Sequence, residues 1–124
     1  MNEALILAIL FGFHQLESSG GTNVRDNGDS VGEYQIKKIF VREVNWKTGR
    51  KYTYESRRDR KSSEEMIQAW LSFQWKGADV GTLYSIGLTY KCGVVGAETP
   101  TAEEVDYANR FRNIVLVKYH EVMK

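Results

Sequence analysis

The sequence has little that would tie the chain to a membrane, to an oxidising compartment or to nucleic acid. It has one cysteine, so no disulfide can form within the chain, and its net charge is only +1. Its longest apolar stretch, residues 4–13, is too short to cross a bilayer, and no basic residue precedes it as in a secretory signal. We therefore expect no membrane insertion, no nucleic-acid partner and a protein made in the cytoplasm without a signal peptide.

The composition is that of an ordinary globular protein. The 124 residues are 42% hydrophobic and 27% charged, which is enough to bury one hydrophobic core. We expect a single domain, residues 1–124, that is a monomer and needs no cofactor. The His, Cys and acidic residues lack the spacing of metal ligands, so we expect no metal.

Apolar periodicity predicts a mainly α fold of about five helices. Residues 2–18 favour helix and are apolar on all sides in the middle, which predicts a buried central helix. Further helices are expected over 31–46, from a Ser62 or Ser63 cap to 77, over 79–93, and from a Thr101 and Glu104 capping box to about 122. The turn-rich residues 20–32, with a hairpin signal at 27–28, predict a small loop or hairpin lobe.

Glu17 is the residue that points most clearly to chemistry. It is acidic and lies on the last turn of a predicted helix that is otherwise apolar. The negative end of the helix dipole and poor hydration both disfavour its charged form, so the sequence predicts a raised pKa for Glu17. The general acid of a glycosidase needs such an environment. The alternative is a solvated carboxylate at a helix end.

Three motifs in the first 36 residues resemble one enzyme superfamily. A Glu-Ser pair at 17–18 ends the first helix, an Asp-x-Gly segment follows at 26–28, and the run Gly-Glu-Tyr-Gln-Ile stands at 32–36. In these respects the chain resembles the lysozyme-like superfamily: invertebrate-type lysozymes, their phage and bacterial relatives and, more distantly, soluble lytic transglycosylases. The resemblance implies a lysozyme-like α+β fold. It also implies cleavage of peptidoglycan glycan strands between N-acetylmuramic acid and N-acetylglucosamine.

The same resemblance implies a set of site residues. Glu17 matches the catalytic acid, and Asp26, or Asp29 if the loop alignment slips, matches the assisting aspartate. Tyr34 is expected to stack on a sugar ring, and Gln35 to bond an N-acetyl group or to position a water. The full set of implied substrate-binding positions is Ser18, Gly32, Tyr34, Gln35, Tyr90, Gly93 and Tyr107, with Tyr90 as a second stacking residue.

Several alternatives stay open. If neither aspartate reaches the cleft, the substrate's own N-acetyl group would act, giving the anhydro product of a lytic transglycosylase. Lys91 and Cys92 depart from the family pattern, which would suit a catalytically impaired protein that only binds the cell wall. The basic run from Arg57 to Lys61 is expected to be a solvated loop. Its functional interpretations are attraction to anionic wall polymers or, as a third class, nucleic-acid binding. If the protein is a phage lysin that leaves the cytoplasm through a separate pore, it needs no secretory signal peptide.

Overall fold

The computed structural model describes all 124 residues and is mainly helical, with 69% of the chain in helices. The five α-helices are α1 (Glu3–Ser18), α2 (Lys38–Thr48), α3 (Arg60–Gln74), α4 (Leu83–Gly96) and α5 (Ala102–Val122). Short 3-10 helices cover Tyr54–Arg58 and Val80–Thr82. The mainly α class and the number of helices are confirmed. None of these helices combines the length and the apolar character needed to span a membrane.

The chain divides into two compact units: residues 1–16 together with residues 77–124, and residues 17–76. In the first unit, α1, α4 and α5 pack around an aromatic cluster. The ring of Phe13 stacks on Tyr90 and on Phe111, with centroids 4.0 and 4.2 Å apart. Close packing requires glycine at Gly87, where a Cβ would lie 2.6 Å from the Phe111 ring. The assignment of one domain to the whole chain stays a prediction.

One face of α1 is open, so the expectation of a helix enclosed on all sides is wrong there. Leu7 is 57% exposed. Phe11, also on α1, lines a surface groove together with Ile114 and Val117 of α5. The apolar run of α1 therefore serves two surfaces, a buried face around Phe13 and an exposed apolar face.

Local sequence signals place the start of α5 and the break near the end of α4 where they were predicted. The Thr101 hydroxyl accepts the N–H of Glu104 at 3.2 Å, and the Glu104 carboxylate accepts the N–H of Thr101 at 2.8 Å. Asp79 caps the 3-10 turn that leads into α4 by accepting the N–H of Gly81 at 2.9 Å. At Gly93 the backbone turns to φ 76° and breaks the helical geometry. The Thr101–Glu104 capping box and the glycine break are confirmed. Asp79 caps the preceding 3-10 turn and not α4, whose N-cap residue Thr82 forms no side-chain cap.

The second unit contains α2, α3 and the polar loop before them. The helix expected from residue 31 begins only at Lys38, because Gly32 and Gln35 have left-handed φ values of 87° and 49°. Isolated antiparallel bridges join Asn27 to Ser30 and Val31 to Ile36. The predicted hairpin lobe is thus a pair of tight turns without an extended strand.

Helix α3 starts earlier than its predicted serine caps. Asp59 is the residue before the helix, and its carboxylate accepts the N–H of Ser62 at 2.9 Å. Ser63, the other expected cap, is buried and donates its hydroxyl to the Arg57 carbonyl at 3.0 Å. Asp59 therefore caps α3, whereas the sequence predicted Ser62 or Ser63 as the cap.

Candidate functional site

Asp26 organises the polar loop of the second unit. One of its carboxylate oxygens accepts the N–H of Gly32 at 2.9 Å, and the other accepts Nη1 of Arg58 at 2.6 Å. The Gly32 hydrogen bond, followed by that of Arg58, holds the pKa of the Asp26 carboxyl below its ordinary value. Asp26 is therefore a carboxylate that favours its ionised form and has both oxygens engaged, which suits it to holding the loop rather than to accepting a proton.

Gly32 is required where this loop meets the backbone of the following segment. Its φ is +87°, and a Cβ at this position would lie 1.9 Å from the carbonyl oxygen of Arg57. No side chain fits in that space, and L-residues rarely adopt that φ. The glycine that the resemblance implies in the cleft thus has a structural requirement of its own.

Arg57 is a buried anchor, so the expectation of a solvated basic run is wrong for this residue, whereas Arg58, Arg60 and Lys61 are exposed as expected. The residue is only 5% exposed. Its Nη1 donates to the carbonyl oxygens of Asp29 at 2.7 Å and of Ile36 at 3.0 Å, and its Nε donates to the Tyr54 carbonyl at 2.8 Å. A single guanidinium thereby fixes both ends of the loop from Asp29 to Ile36 to the 3-10 helix.

Gln35 lies inside this fixed loop with its amide partly used. Its Nε2 donates to the Gly32 carbonyl at 2.8 Å, and its side chain also helps to lower the pKa of Asp26. The amide oxygen accepts no hydrogen bond within the protein, and the residue is half-buried. Since the acceptors around Nε2 fix which way the amide points, Oε1 is left to accept a hydrogen bond from a ligand or a water.

Asp29 caps a helix. Its Oδ1 accepts, at 3.1 Å, the N–H of Lys38, which is the first residue of α2. The N-cap residue of α2, Lys37, forms no side-chain capping bond. Its carboxylate also lies 4.0 Å from Nη1 of Arg57. The fallback catalytic aspartate therefore already has a structural function at the start of α2.

Glu17 is half-buried on the last turn of α1, and that turn contains no basic residue. Ser18 after it is 2% exposed, and its Oγ accepts the N–H of Gly21 at 3.0 Å. Ser18 thus closes the turn that reverses the chain directly after Glu17. The substrate-binding role that the resemblance implies for Ser18 stays a prediction.

Backbone strain in this chain falls in two places. Ser19 and Gln35, with φ values of 51° and 49°, are the only residues other than glycine in the left-handed region. Ser19 follows the Glu-Ser pair, and Gln35 ends the Gly-x-x-Gln motif. Such conformations cost about 1–3 kcal/mol each and cluster at functional sites.

Tyr34 contradicts its expected role as a sugar platform. It is 1% exposed, and its hydroxyl donates to Oε2 of Glu64 at 2.7 Å. Burial, and then the Glu64 carboxylate, raise the pKa of Tyr34 well above its ordinary value. A ring without an open face cannot stack on a pyranose, so Tyr34 is a core residue that fixes the loop to α3.

The remaining implied positions lie in the first unit. Tyr90 is half-buried and stacks on Phe13, which occupies one face of its ring. Tyr107 is 8% exposed, with Nζ of Lys91 5.1 Å from its ring centroid. Gly93 is exposed at the break in α4. Burial leaves Tyr107 little surface for a sugar, and Tyr90 keeps at most one face.

Sequence reading missed the positioning residues Arg57 and Arg58. Arg58 pairs with an aspartate 32 positions earlier, and Arg57 bonds carbonyls up to 28 positions earlier. The periodic spacing of apolar residues in the sequence does not reveal contacts between positions so far apart. The available signal was chemical: a loop with two aspartates needs cationic partners, and residues 57–61, with four basic residues in five, are the densest basic run in the sequence.

No group of three or more His, Cys, Asp or Glu side chains is arranged to hold a metal ion. Compared with protein-family models, with curated proteins and with solved structures, the chain matches none of them.

Proposed function

We propose that this protein is a lysozyme-like enzyme that cleaves the glycan strands of bacterial peptidoglycan, with Glu17 as the general acid. The bond cleaved is the β-1,4 link between N-acetylmuramic acid and N-acetylglucosamine. One observation carries the proposal. Gln35, one of two non-glycine residues with a left-handed φ, lies in the Gly-Glu-Tyr-Gln-Ile run that resembles lysozyme-like enzymes, and hydrogen bonds join Asp26, Gly32 and Gln35 into one loop. Strained conformations of this kind cluster at active sites and ligand-binding segments.

The proposed first step is protonation of the leaving oxygen. The Glu17 carboxyl gives its proton to the bridging oxygen as the bond from that oxygen to C1 breaks, which leaves positive charge shared between C1 and the ring oxygen. Glu17 suits this role because it is half-buried at the negative end of α1 and has no basic residue in its turn. Gln35 Oε1 would accept the N–H of the N-acetyl group and so orient the sugar.

The engaged aspartates favour a transglycosylase route over hydrolysis. A second carboxylate that attacks C1, or activates a water, must be free to do so. Asp26 is bound by Gly32 and Arg58, and Asp29 caps α2. We therefore propose that the carbonyl oxygen of the substrate's N-acetyl group attacks C1. The muramic C6 hydroxyl then displaces it and gives its proton to Glu17, which yields a 1,6-anhydro end.

The test is digestion of purified peptidoglycan by the wild type, by Glu17→Gln and by Glu98→Gln. Glu98 is exposed, so its variant is a matched isosteric control. We expect Glu17→Gln to release soluble fragments about 10²- to 10⁴-fold more slowly, as for loss of a general acid, and Glu98→Gln to match the wild type. Mass spectrometry then separates anhydro ends from hydrolysed ends, which are heavier by one water.

Two results would contradict the proposal. If Glu17→Gln cleaves as fast as the wild type, Glu17 is not the acid. If the wild type releases nothing but sediments with the peptidoglycan, the protein is a non-catalytic wall binder, as the departures at Lys91 and Cys92 would suit.

A further inference from the structure

The positive charge of the chain is concentrated on α2 and the loop after it. Residues 37–51 hold one acidic residue and six basic ones, namely Lys37, Lys38, Arg42, Lys47, Arg50 and Lys51. This segment therefore carries +5 in a chain whose total is +1, so the rest of the chain carries −4. All six cations are exposed, and none of them forms an ion pair.

The run at 57–61, which the sequence suggested as the basic surface, is largely neutralised in the structure. Arg57 is buried, Arg58 pairs with Asp26 and Glu55, and Arg60 pairs with Glu64. The densest group of exposed, unpaired cations is thus that of residues 37–51.

The outer face of α2 combines these cations with exposed apolar side chains. Val41 and Val44 bury the inner face. On the opposite side Lys38, Arg42 and Trp46 follow one another four residues apart, which places them in one row on a helix. Trp46 is 77% exposed and Ile39 is 62% exposed. Nζ of Lys47 lies over one face of the Trp46 ring, 4.7 Å from its centroid, so the opposite face is the one left for a ligand.

We propose that the α2 surface, defined as Lys38, Ile39, Arg42, Trp46 and Lys47, binds an anionic phosphodiester polymer attached to bacterial peptidoglycan. The three cations would pair with successive phosphates, and the Trp46 ring would stack on a sugar of the polymer. This inference rests on the proposed function, because the polymer would hold the enzyme beside its substrate.

The shape of the surface favours this partner over nucleic acid. Proteins that bind single strands combine a positively charged groove with several aromatic platforms on which successive bases stack. The α2 surface is the outside of one 11-residue helix with a single widely exposed ring, and Ile39 beside it offers nothing to a base. Such a surface suits a flexible chain with spaced phosphates and sugars.

Binding through three cations should depend steeply on salt. Each phosphate contact contributes about −0.7 to the slope of log K against log salt for a flexible polyanion, so three give a slope of about −2. Binding should therefore weaken roughly 20-fold between about 50 and about 200 mM salt. Loss of the Trp46 ring should weaken binding at least about fivefold at any salt concentration, since stacking does not depend on counterions.

The test uses the Glu17→Gln protein, so that the wall is not digested, and measures sedimentation with peptidoglycan sacculi. One sample keeps its phosphodiester polymers, and the other is stripped of them with hydrofluoric acid. We expect salt-dependent binding to intact sacculi only. Added Arg42→Glu or Trp46→Ala should weaken binding to intact sacculi at least about fivefold. The control Arg110→Glu makes the same charge change at an exposed position of α5 and should have no effect.

Several outcomes would overturn the inference. Equal binding to stripped sacculi, or no loss with Arg42→Glu, would exclude the α2 surface as the polymer site. Tighter binding of a single-stranded oligothymidylate than of intact sacculi, sensitive to Trp46→Ala, would make nucleic acid the partner. Cleavage of both the intact and the stripped sacculi is measured separately with Glu17 intact. A protein that binds as expected but cleaves neither sample would refute the proposed function and leave this inference supported.

Discussion

Replacement of Arg57 by methionine tests whether one buried guanidinium holds the candidate site together. In the wild type this side chain donates to the carbonyl oxygens of Tyr54, Asp29 and Ile36 at 2.8, 2.7 and 3.0 Å. Methionine fills most of the same volume but donates no hydrogen bond. The variant therefore removes the three bonds without opening a large cavity.

The expected loss follows from the bonds and their burial. A hydrogen bond from a charged donor contributes about 1.5–3 kcal/mol, so three could contribute about 5 kcal/mol or more. Only the bond to Ile36 is fully buried, and water can reach the other two carbonyls in the variant. We therefore expect Arg57→Met to lower the free energy of unfolding by about 3 kcal/mol. Arg57→Lys keeps the charge but cannot span three carbonyls, and should cost about 1–2 kcal/mol.

The assay is urea unfolding at pH 7, followed by circular dichroism of the whole chain. Arg42→Met is the matched control, because Arg42 is exposed and forms no ion pair, and its change should stay within about 0.5 kcal/mol. If Arg57→Met is as stable as this control, Arg57 does not anchor the loop.

Three further predictions concern the loop itself. Gly32→Ala should lower the free energy of unfolding in urea by more than about 3 kcal/mol, because its Cβ would lie 1.9 Å from the Arg57 carbonyl oxygen at a φ of +87°. A loss of less than about 1 kcal/mol would count against the loop geometry. The lowered pKa of Asp26 means that its ionised form stabilises the fold above about pH 4 and that this contribution fades as pH falls further. The stability gap between wild type and Asp26→Asn should therefore shrink from pH 7 to pH 3, and a constant gap would contradict the assignment. Gln35→Gly should keep stability within about 1 kcal/mol, since relief of the left-handed strain offsets the lost bond, yet slow wall cleavage at least about tenfold. Ser19→Gly, the control for strain alone, should leave cleavage unchanged; equal cleavage by both variants would deny Gln35 a functional role.

The helix ends that depend on neighbouring residues were predictable from the sequence. Thr101 and Glu104 cap α5 through bonds three positions apart, so their spacing alone predicts the helix start. The break at Gly93 is equally local, because glycine adopts a positive φ at little cost.

The start of α2 and the role of the arginines were not predictable in the same way. The apolar residues of 31–46 fit a helical stripe, but the first part of this segment is held in a turn by Asp26, Arg57 and a left-handed Gln35. These are contacts between distant positions, and periodicity does not report them. For the same reason the sequence predicted an exposed sugar-stacking role for Tyr34, although its hydroxyl is hydrogen-bonded to Glu64.

The candidate site was predictable in its residues and not in their roles. The motif that contains Asp26, Gly32 and Gln35 does fold into one connected loop, joined by hydrogen bonds of 2.8 and 2.9 Å. That the two aspartates are engaged in holding this loop and α2 depends on distances that a sequence cannot supply. This difference moves the favoured mechanism from hydrolysis to the transglycosylase route.

The most direct test of the central claim is a crystal structure of Glu17→Gln with a peptidoglycan tetrasaccharide bound. Our account predicts that the bridging oxygen of one muramic acid to glucosamine bond lies about 3 Å from the side-chain amide at position 17. It also predicts an N-acetyl N–H on Oε1 of Gln35. A saccharide that binds the chain away from position 17 would contradict the account.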